Sequence, residues 1–293
     1  MNAPGRGSAK DWVALTKLRI QGVATPAALV CFWLANNGVW EWAPALHLAF
    51  GLTLMSSASA SLNQVLEVEI DRRMQRTQAR PLPAGRVSKR VATIFTVVAA
   101  ALGLLWLTLF LDPLTGWLGL VMLVWYGFIY TPLKRVTPLN TLVGAVPGAM
   151  PLLVGYAAAG NGLDMTAGVL FLILFLWQLP HFFAIAWLYR EDYARGGLRM
   201  LPGEDGHGAM SGLQSVHYAL ALLPASLLPT LFGFAGRIYF YGAFSLSLLF
   251  LATVLRFAAR RRDRRARVVL RASIVYLPLL FLLLALDAKW ATE

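Results

Sequence analysis

Charge and cysteine are what this sequence has least of. Only 14% of its 293 residues are charged, 58% are hydrophobic, and the mean hydropathy is +0.62. That leaves too little polar surface for an ordinary soluble globule of this size, so the chain reads as a polytopic membrane protein. The single cysteine, Cys31, lies in an apolar run, which excludes an intrachain disulfide framework and a multi-cysteine metal site. Acids are also scarce: 14 Asp and Glu stand against 26 Lys and Arg, a net charge of +12. The basic excess is distributed between apolar runs and forms no single stripe, so membrane topology accounts for it and no nucleic-acid partner is expected. The first residues carry neither a cleavable apolar core nor an Arg/Ser-rich transit signature, so the first helix is expected to be retained.

A helix needs roughly 20 apolar residues to cross a bilayer, and that length divides the chain into an all-α membrane bundle of about nine transmembrane helices. Spans are expected at 20–35, 43–66, 90–111, 114–130, 139–159, 166–189, 213–234, 238–257 and 268–286. Turn signals such as Asn36-Asn37-Gly38, Asp112-Pro113 and Gly160-Asn161-Gly162 separate neighbours, leaving one intramembrane domain over 1–293 with a short flank at 1–19. Basic residues fall on alternate connections. Lys10, Lys17 and Arg19 precede the first span, and Arg72 to Arg90 fill the second connection. Lys134 and Arg135 lie in the fourth, Arg190, Arg195 and Arg199 in the sixth, and Arg256 to Arg267 in the eighth. This pattern puts the N-terminus in the cytoplasm and the C-terminus outside. It also puts the polar ends of the second and sixth spans on one side, four helices apart, as in a duplicated unit.

The second connection, NQVLEVEIDRRMQRTQARPLPAGRVS, concentrates carboxylates, arginines and prolines. Asn63, Glu67 and Asp71 recur every four residues, so on a continuous helix they advance about 40° per step and line one face over roughly 12 Å. Ligands spread this far cannot all close on one ion, but they suit hydrated Mg²⁺ bridging to phosphate oxygens. Glu69 falls on another face. Arg72, Arg73, Arg76 and Arg80 follow, with the helix expected to end before Pro81. Arginine forks bind phosphate bidentately, so acids, metal and arginines together compose a diphosphate site. Two plainer readings stand beside it: a solvated helix end for the acids, and positive-inside charge for the arginines.

This run, with YTPLKRVTPLNTLVGAVPGAMPLLVGY and WQLPHFFAIAWLYREDYARGGLRMLP, resembles the signatures of the protohaem IX farnesyltransferase (haem O synthase) branch of the UbiA-type intramembrane prenyltransferases. The resemblance implies farnesyl diphosphate and haem b as substrates, Mg²⁺ as cofactor, transfer of farnesyl to a haem vinyl group with addition of water, and haem o and diphosphate as products. It implies a bacterial cytoplasmic (inner) membrane with its lipid, and delivery of product toward haem A synthesis or oxidase assembly proteins. In the sixth connection, Asp192 of the Asp-Tyr pair takes the part of second metal-directed carboxylate. The wider superfamily has two acids spaced by four here, whereas this chain has adjacent Glu191 and Asp192; Leu198-Arg199 replaces the usual Ile-Pro before Met-Leu-Pro. Lys134, in the setting TPLKR with Arg135, either holds a terminal phosphate or is a topogenic charge. Tyr130, Tyr189 and Tyr193 offer faces to an allylic cation.

His181 in LPHFF lies about three turns before Asp192, roughly 16 Å deeper. An ionisable group at that depth is a functional candidate, as a haem iron ligand among Trp177, Phe182, Phe183 and Trp187, or else as a packed histidine hydrogen-bonded to a neighbouring helix. His217 has less support; His47 and His207 read as structural or solvent-facing. Two other activities fit parts of the pattern: prenyl transfer to an aromatic quinone precursor, and secondary transport. The first would not need His181 or the LPHF and DYARGG settings. The second calls for acidic pairs near the bilayer midplane, which the sequence lacks.

Overall fold

The protein is described by a computed structural model covering residues 7–204 and 207–289; residues 1–6 of the expected N-terminal flank, and the side chains of Arg19 and Ile20, lie outside it. Fifteen α-helices and one π-helical segment follow in order: α1 Ala9–Thr16, α2 Leu18–Ala35, α3 Trp42–Leu66, α4 Val68–Arg73, α5 Lys89–Phe110, α6 Pro113–Val124, the π segment Trp125–Tyr130, α7 Thr131–Leu133, α8 Asn140–Ala157, α9 Met165–Leu188, α10 Arg190–Arg195, α11 Leu201–Glu204, α12 Ala209–Ala225, α13 Leu228–Leu231, α14 Arg237–Ala259 and α15 Asp263–Leu286. Among the described residues the only β pairing is an isolated bridge between Ala235 and Ala288.

Eight of the expected spans fall on helical segments, several to within a residue or two of the expected ends; the one expected at 213–234 is broken into α12, ending at Ala225, and the short α13. Six continuous runs are individually long and apolar enough to cross a membrane: α3, α5, Pro113–Leu133, α9, α14 and α15. α1 with the body of α2 makes a seventh when the pair, bent by 52°, is taken as one span. α8 and α12, which carry the expected fifth and seventh spans, are outside that set; both are shorter and contain proline, two in α8 and one in α12.

Local chemistry sets many of the ends. Ser8 and Asp11 form a capping box on α1, and Ser88, Asp112 and Asp164 cap α5, α6 and α9 through side-chain oxygens. Each accepts from an amide that the first turn leaves without a partner. The long helices bury one side and give the other to lipid: along α5, Ile94, Val97, Val98, Leu102, Leu105 and Leu109 are exposed while Ala92, Ala99, Gly103 and Leu107 are buried.

The interior has two main parts. One apolar cluster joins α2, α3, α5, α6 and α8; the other joins α2, α8, α9, α12, α14 and α15. α2 and α8 belong to both and form the spine between them. Gly155 makes their close approach possible, because a Cβ there would run into the backbone of Ala28. Lipid offers helices no hydrophobic drive to associate, so such small-residue contacts carry much of the packing.

Two spans end in the same way. α3 stops at Glu67 (φ −106°, ψ 13°) and restarts as the six-residue α4; α9 stops at Tyr189 (φ −112°, ψ 21°) and restarts as the six-residue α10. Matching breaks at the two acidic ends agree with the duplicated unit expected from the sequence. The expected helix through the arginines is shorter than anticipated: α4 ends at Arg73, with Met74 extended, well before Pro81. The cause is long-range, since the next two amides are bound by Asp192.

Candidate active site

The last turns of α3 are polar but buried: Ser57, Ser59, Ser61, Asn63 and Gln64 all lie inside. Despite the break at Glu67, the backbone keeps i→i+4 bonds through the motif, from Glu67 N to Asn63 O (3.0 Å) and from Asp71 N to Glu67 O (2.8 Å). Asn63, Glu67 and Asp71 therefore stay on one inward face, as their spacing predicts. Asp71 is 0% exposed and Glu67 4%. Glu69 points out and pairs with exposed Arg72 at 2.8 Å.

A cation meets each motif residue. Lys134 Nζ lies 3.0 and 3.1 Å from the two oxygens of Glu67 and 4.5 Å from the centre of the Tyr130 ring. Arg80 donates to Asp71 Oδ2 at 2.7 Å, and Lys17 Nζ to Asn63 Oδ1 at 3.4 Å. Asn63 Nδ2 also donates to Glu67 Oε2 at 2.7 Å and to Thr131 Oγ1 at 3.2 Å. Lys17 is placed by a left-handed residue between α1 and α2 (φ 52°). The carbonyls freed at that bend are bound by Gln64 Nε2, to Leu15 O, and Gln21 Nε2, to Thr16 O. Lys134 is set by the π segment and α7, whose extra backbone residue per turn rotates the chain end. Gly144 leaves the space that the Tyr130 ring fills beneath it.

Asp192 reaches the first motif indirectly. Its carboxylate accepts the backbone amides of Gln75 (2.8 Å) and Arg76 (3.0 Å) and the Arg195 guanidinium (2.7 Å). Burial opposes its ionisation, but these donors outweigh burial and leave the carboxyl below the ordinary carboxylate range. Ile70, Met74, Ala186, Leu198 and Met200 pack beneath this junction, and Gly196 lets α10 close on Met74 and Ile70. The Arg76 guanidinium lies over Tyr189 (4.8 Å) and Tyr193 (5.5 Å) and donates to Tyr193 OH at 3.3 Å. The three tyrosine faces expected to meet an allylic cation thus hold the cations Lys134 and Arg76. Arg135 is exposed at the same end.

Among the described residues no three His, Cys, Asp or Glu side chains converge into a metal cage. Hard oxygen is nonetheless presented: Asp71 Oδ1 is buried without a hydrogen-bond partner among the described residues. An orphaned carboxylate oxygen beside Glu67 and Asn63 fits a hydrated divalent ion held largely by water and phosphate. Below the cluster, a cavity of about 170 Å³ opens between α2, α3, α6, the π segment and α8, walled by Lys17, Gln21, Ser59, Met122, Tyr126 and Pro151 among others.

His181 lies farther along α9. Nδ1 is 2.7 Å from Ser273 Oγ on α15, and the ring stacks on Trp177 at 5.4 Å. Ser273 spends its own proton on Leu270 O at 2.8 Å. With that proton on Leu270 O, the Nδ1–H tautomer satisfies both side chains, and in that tautomer Nε2 carries the lone pair. The expected partner on a neighbouring helix and the expected ligating nitrogen are compatible. Of the other histidines, His47 stacks on Phe110 at 4.8 Å.

Residues 24–284 match the model of the UbiA prenyltransferase family. The chain belongs to the UbiA prenyltransferase family. A protoheme IX farnesyltransferase of Solibacter usitatus is 42% identical over 287 residues, 95% of this chain and 98% of that protein. Among solved UbiA-like structures, a digeranylgeranylglyceryl phosphate synthase superposes with a TM-score of 0.79 at 18% identity, over 95% of this chain and 97% of its own. A UbiA homolog from Archaeoglobus fulgidus bound to DMAPP and Mg2+ gives a TM-score of 0.68 at 14% identity, over 94% and 99%. Sequence spacing put Asn63, Glu67 and Asp71 on one face, where the structure has them, but gave no sign of their contacts with Lys17 and Thr131, of Arg195 on Asp192 or of Ser273 on His181. Lys17 read only as a topogenic charge; Arg195, three residues after Asp192 on a helix, was the one partner that spacing alone could have supplied.

Proposed function

We propose that this membrane protein transfers farnesyl from farnesyl diphosphate to a vinyl group of haem b, giving haem o and diphosphate. The observation that carries the reading is the 42% identity, across almost the whole chain, with a protoheme IX farnesyltransferase. The site's chemistry supports it. Buried carboxylates and basic side chains meet at the charged end of the bundle, above a cavity with largely apolar walls, which suits a donor with an ionic head and an oily tail.

Asn63, Glu67 and Asp71 would hold Mg²⁺ through water and the diphosphate, with Asp192 fixing the loop beside them. Mg²⁺ supplies positive charge to the departing diphosphate. Arg80, Lys134, Lys17 and Arg76 neutralise the remaining phosphate oxygens. Arg72 and Arg135 serve approach from the surface, and Tyr130, Tyr189 and Tyr193 hold the cations in place. As the allylic C–O bond breaks, farnesyl C1 bonds to the vinyl carbon. Water adds to the neighbouring carbon and releases a proton, completing the hydroxyethylfarnesyl group. His181 Nε2 ligates the haem iron and so orients the vinyl group. The carboxylate end faces the cytoplasm, and the protein resides in the bacterial cytoplasmic membrane.

Purified protein given haem b, farnesyl diphosphate and Mg²⁺ should yield a haem heavier by one farnesyl group and one hydroxyl. In the same preparation, His181→Ala should lose haem affinity, read from the Soret band, while retaining a non-reactive farnesyl thiodiphosphate. Equal loss of both ligands, or unchanged haem affinity, contradicts iron ligation.

A further inference from the structure

The first motif is internally neutralised by side chains from three separate segments. Lys17 comes from the bend before α2, Arg80 from the loop after α4, and Lys134 from the end of α7. Lys134 and Arg80 touch the carboxylates of Glu67 and Asp71 directly, and Lys17 touches the amide oxygen of Asn63. Buried carboxylates need such compensation, because an uncompensated charge in this interior is strongly unfavourable. The same cations, however, sit against the oxygens that a metal would use.

We propose that Lys134 and Arg80, with Lys17 beside them, are placeholders for the metal. They neutralise the motif through the contacts described, and when a metal–diphosphate complex enters they transfer from carboxylate to phosphate oxygens. This rests on the reading that the site takes a prenyl diphosphate with Mg²⁺. A metal arriving alone meets carboxylates already paired and cations with nowhere to go. A diphosphate arriving alone meets cations already engaged. Together each frees what the other needs, so the two ligands bind with positive coupling.

The geometry suits the exchange. Lys134 carries a compact charge on a flexible stem and rests on the Tyr130 face, a second contact it keeps while leaving Glu67. Arg80 uses one donor on Asp71 Oδ2, while Asp71 Oδ1 stands unpartnered as a first foothold for the ion. Asp192 anchors the backbone at Gln75 and Arg76, so the Arg80 side chain can swing from a fixed loop.

Replacing the placeholder should make the site take metal alone. In detergent and without diphosphate, Lys134→Met should bind Mn²⁺ about tenfold more tightly than wild type, within the usual range of coupling between sites. Arg90→Gln, which removes an exposed cation at the start of α5, should stay at the wild-type affinity. Because Lys134→Met leaves Glu67 unpaired, its melting temperature should fall in EDTA and rise again with Mn²⁺, whereas the wild type should respond little to Mn²⁺ alone. A variant that binds Mn²⁺ no better than wild type, or whose stability Mn²⁺ does not restore, overturns the exchange. Absence of farnesylated haem from the wild-type assay overturns the reaction instead.

Discussion

At the scale of single residues, two aspartates of similar appearance have different work. Asp71 presents a bare oxygen to the site, while Asp192 spends its carboxylate on two backbone amides and Arg195. Both Asp71→Asn and Asp192→Asn should leave membrane insertion intact and remove most farnesyl transfer, by different routes. Asp192→Asn should speed amide exchange at Gln75 and Arg76, which Asp71→Asn should not. The pH dependence has a definite sign. The folded state lowers the Asp192 carboxyl, so its clamp contributes stability above the ordinary carboxylate range and loses it as pH falls through the depressed value. Slow exchange at these two amides should therefore persist from neutral pH into mild acid and fail only below that range; loss near neutrality would contradict the clamp. The motif residues were legible because period and face follow from helix geometry. Their partners were not, since Lys134 and Glu67 are 67 residues apart and spacing carries no information at that distance.

At the scale of elements, apolar run length and turn residues located the helices well. Two features escaped. The early end of α4 is held from α10, where Asp192 binds the amides of Gln75 and Arg76, and the π segment before α7 has no periodic signature that separates it from ordinary helix. The twin breaks after α3 and α9 show how an acidic end is built here: a span stops and one short helix turns the carboxylates. The spine between α2 and α8 is the element contact with least tolerance. Gly155→Val should overpack it against the Ala28 backbone, costing about 1–3 kcal/mol. A lower melting temperature in detergent with unchanged helix content checks this; wild-type stability would show that the spine can spread.

For the whole molecule, the basic connections gather at one end because the chain ties them there. Arg199 N donates to Lys134 O, Arg190 pairs with Asp263, and Arg86 pairs with Asp11. Alternating charge in the sequence anticipated that shared end, and with it the meeting of the second and sixth connections. It did not anticipate that the meeting would run through backbone amides, or that the cavity would open between α2, α3, α6 and α8. A single competition decides which acceptor the protein uses. Purified protein would receive labelled farnesyl diphosphate, Mg²⁺, haem b and 4-hydroxybenzoate together, and the products would be separated and weighed. The label is expected on haem, as farnesyl plus hydroxyl, and to leave it in His181→Ala. Label on the aromatic ring, or on neither acceptor, would contradict the account.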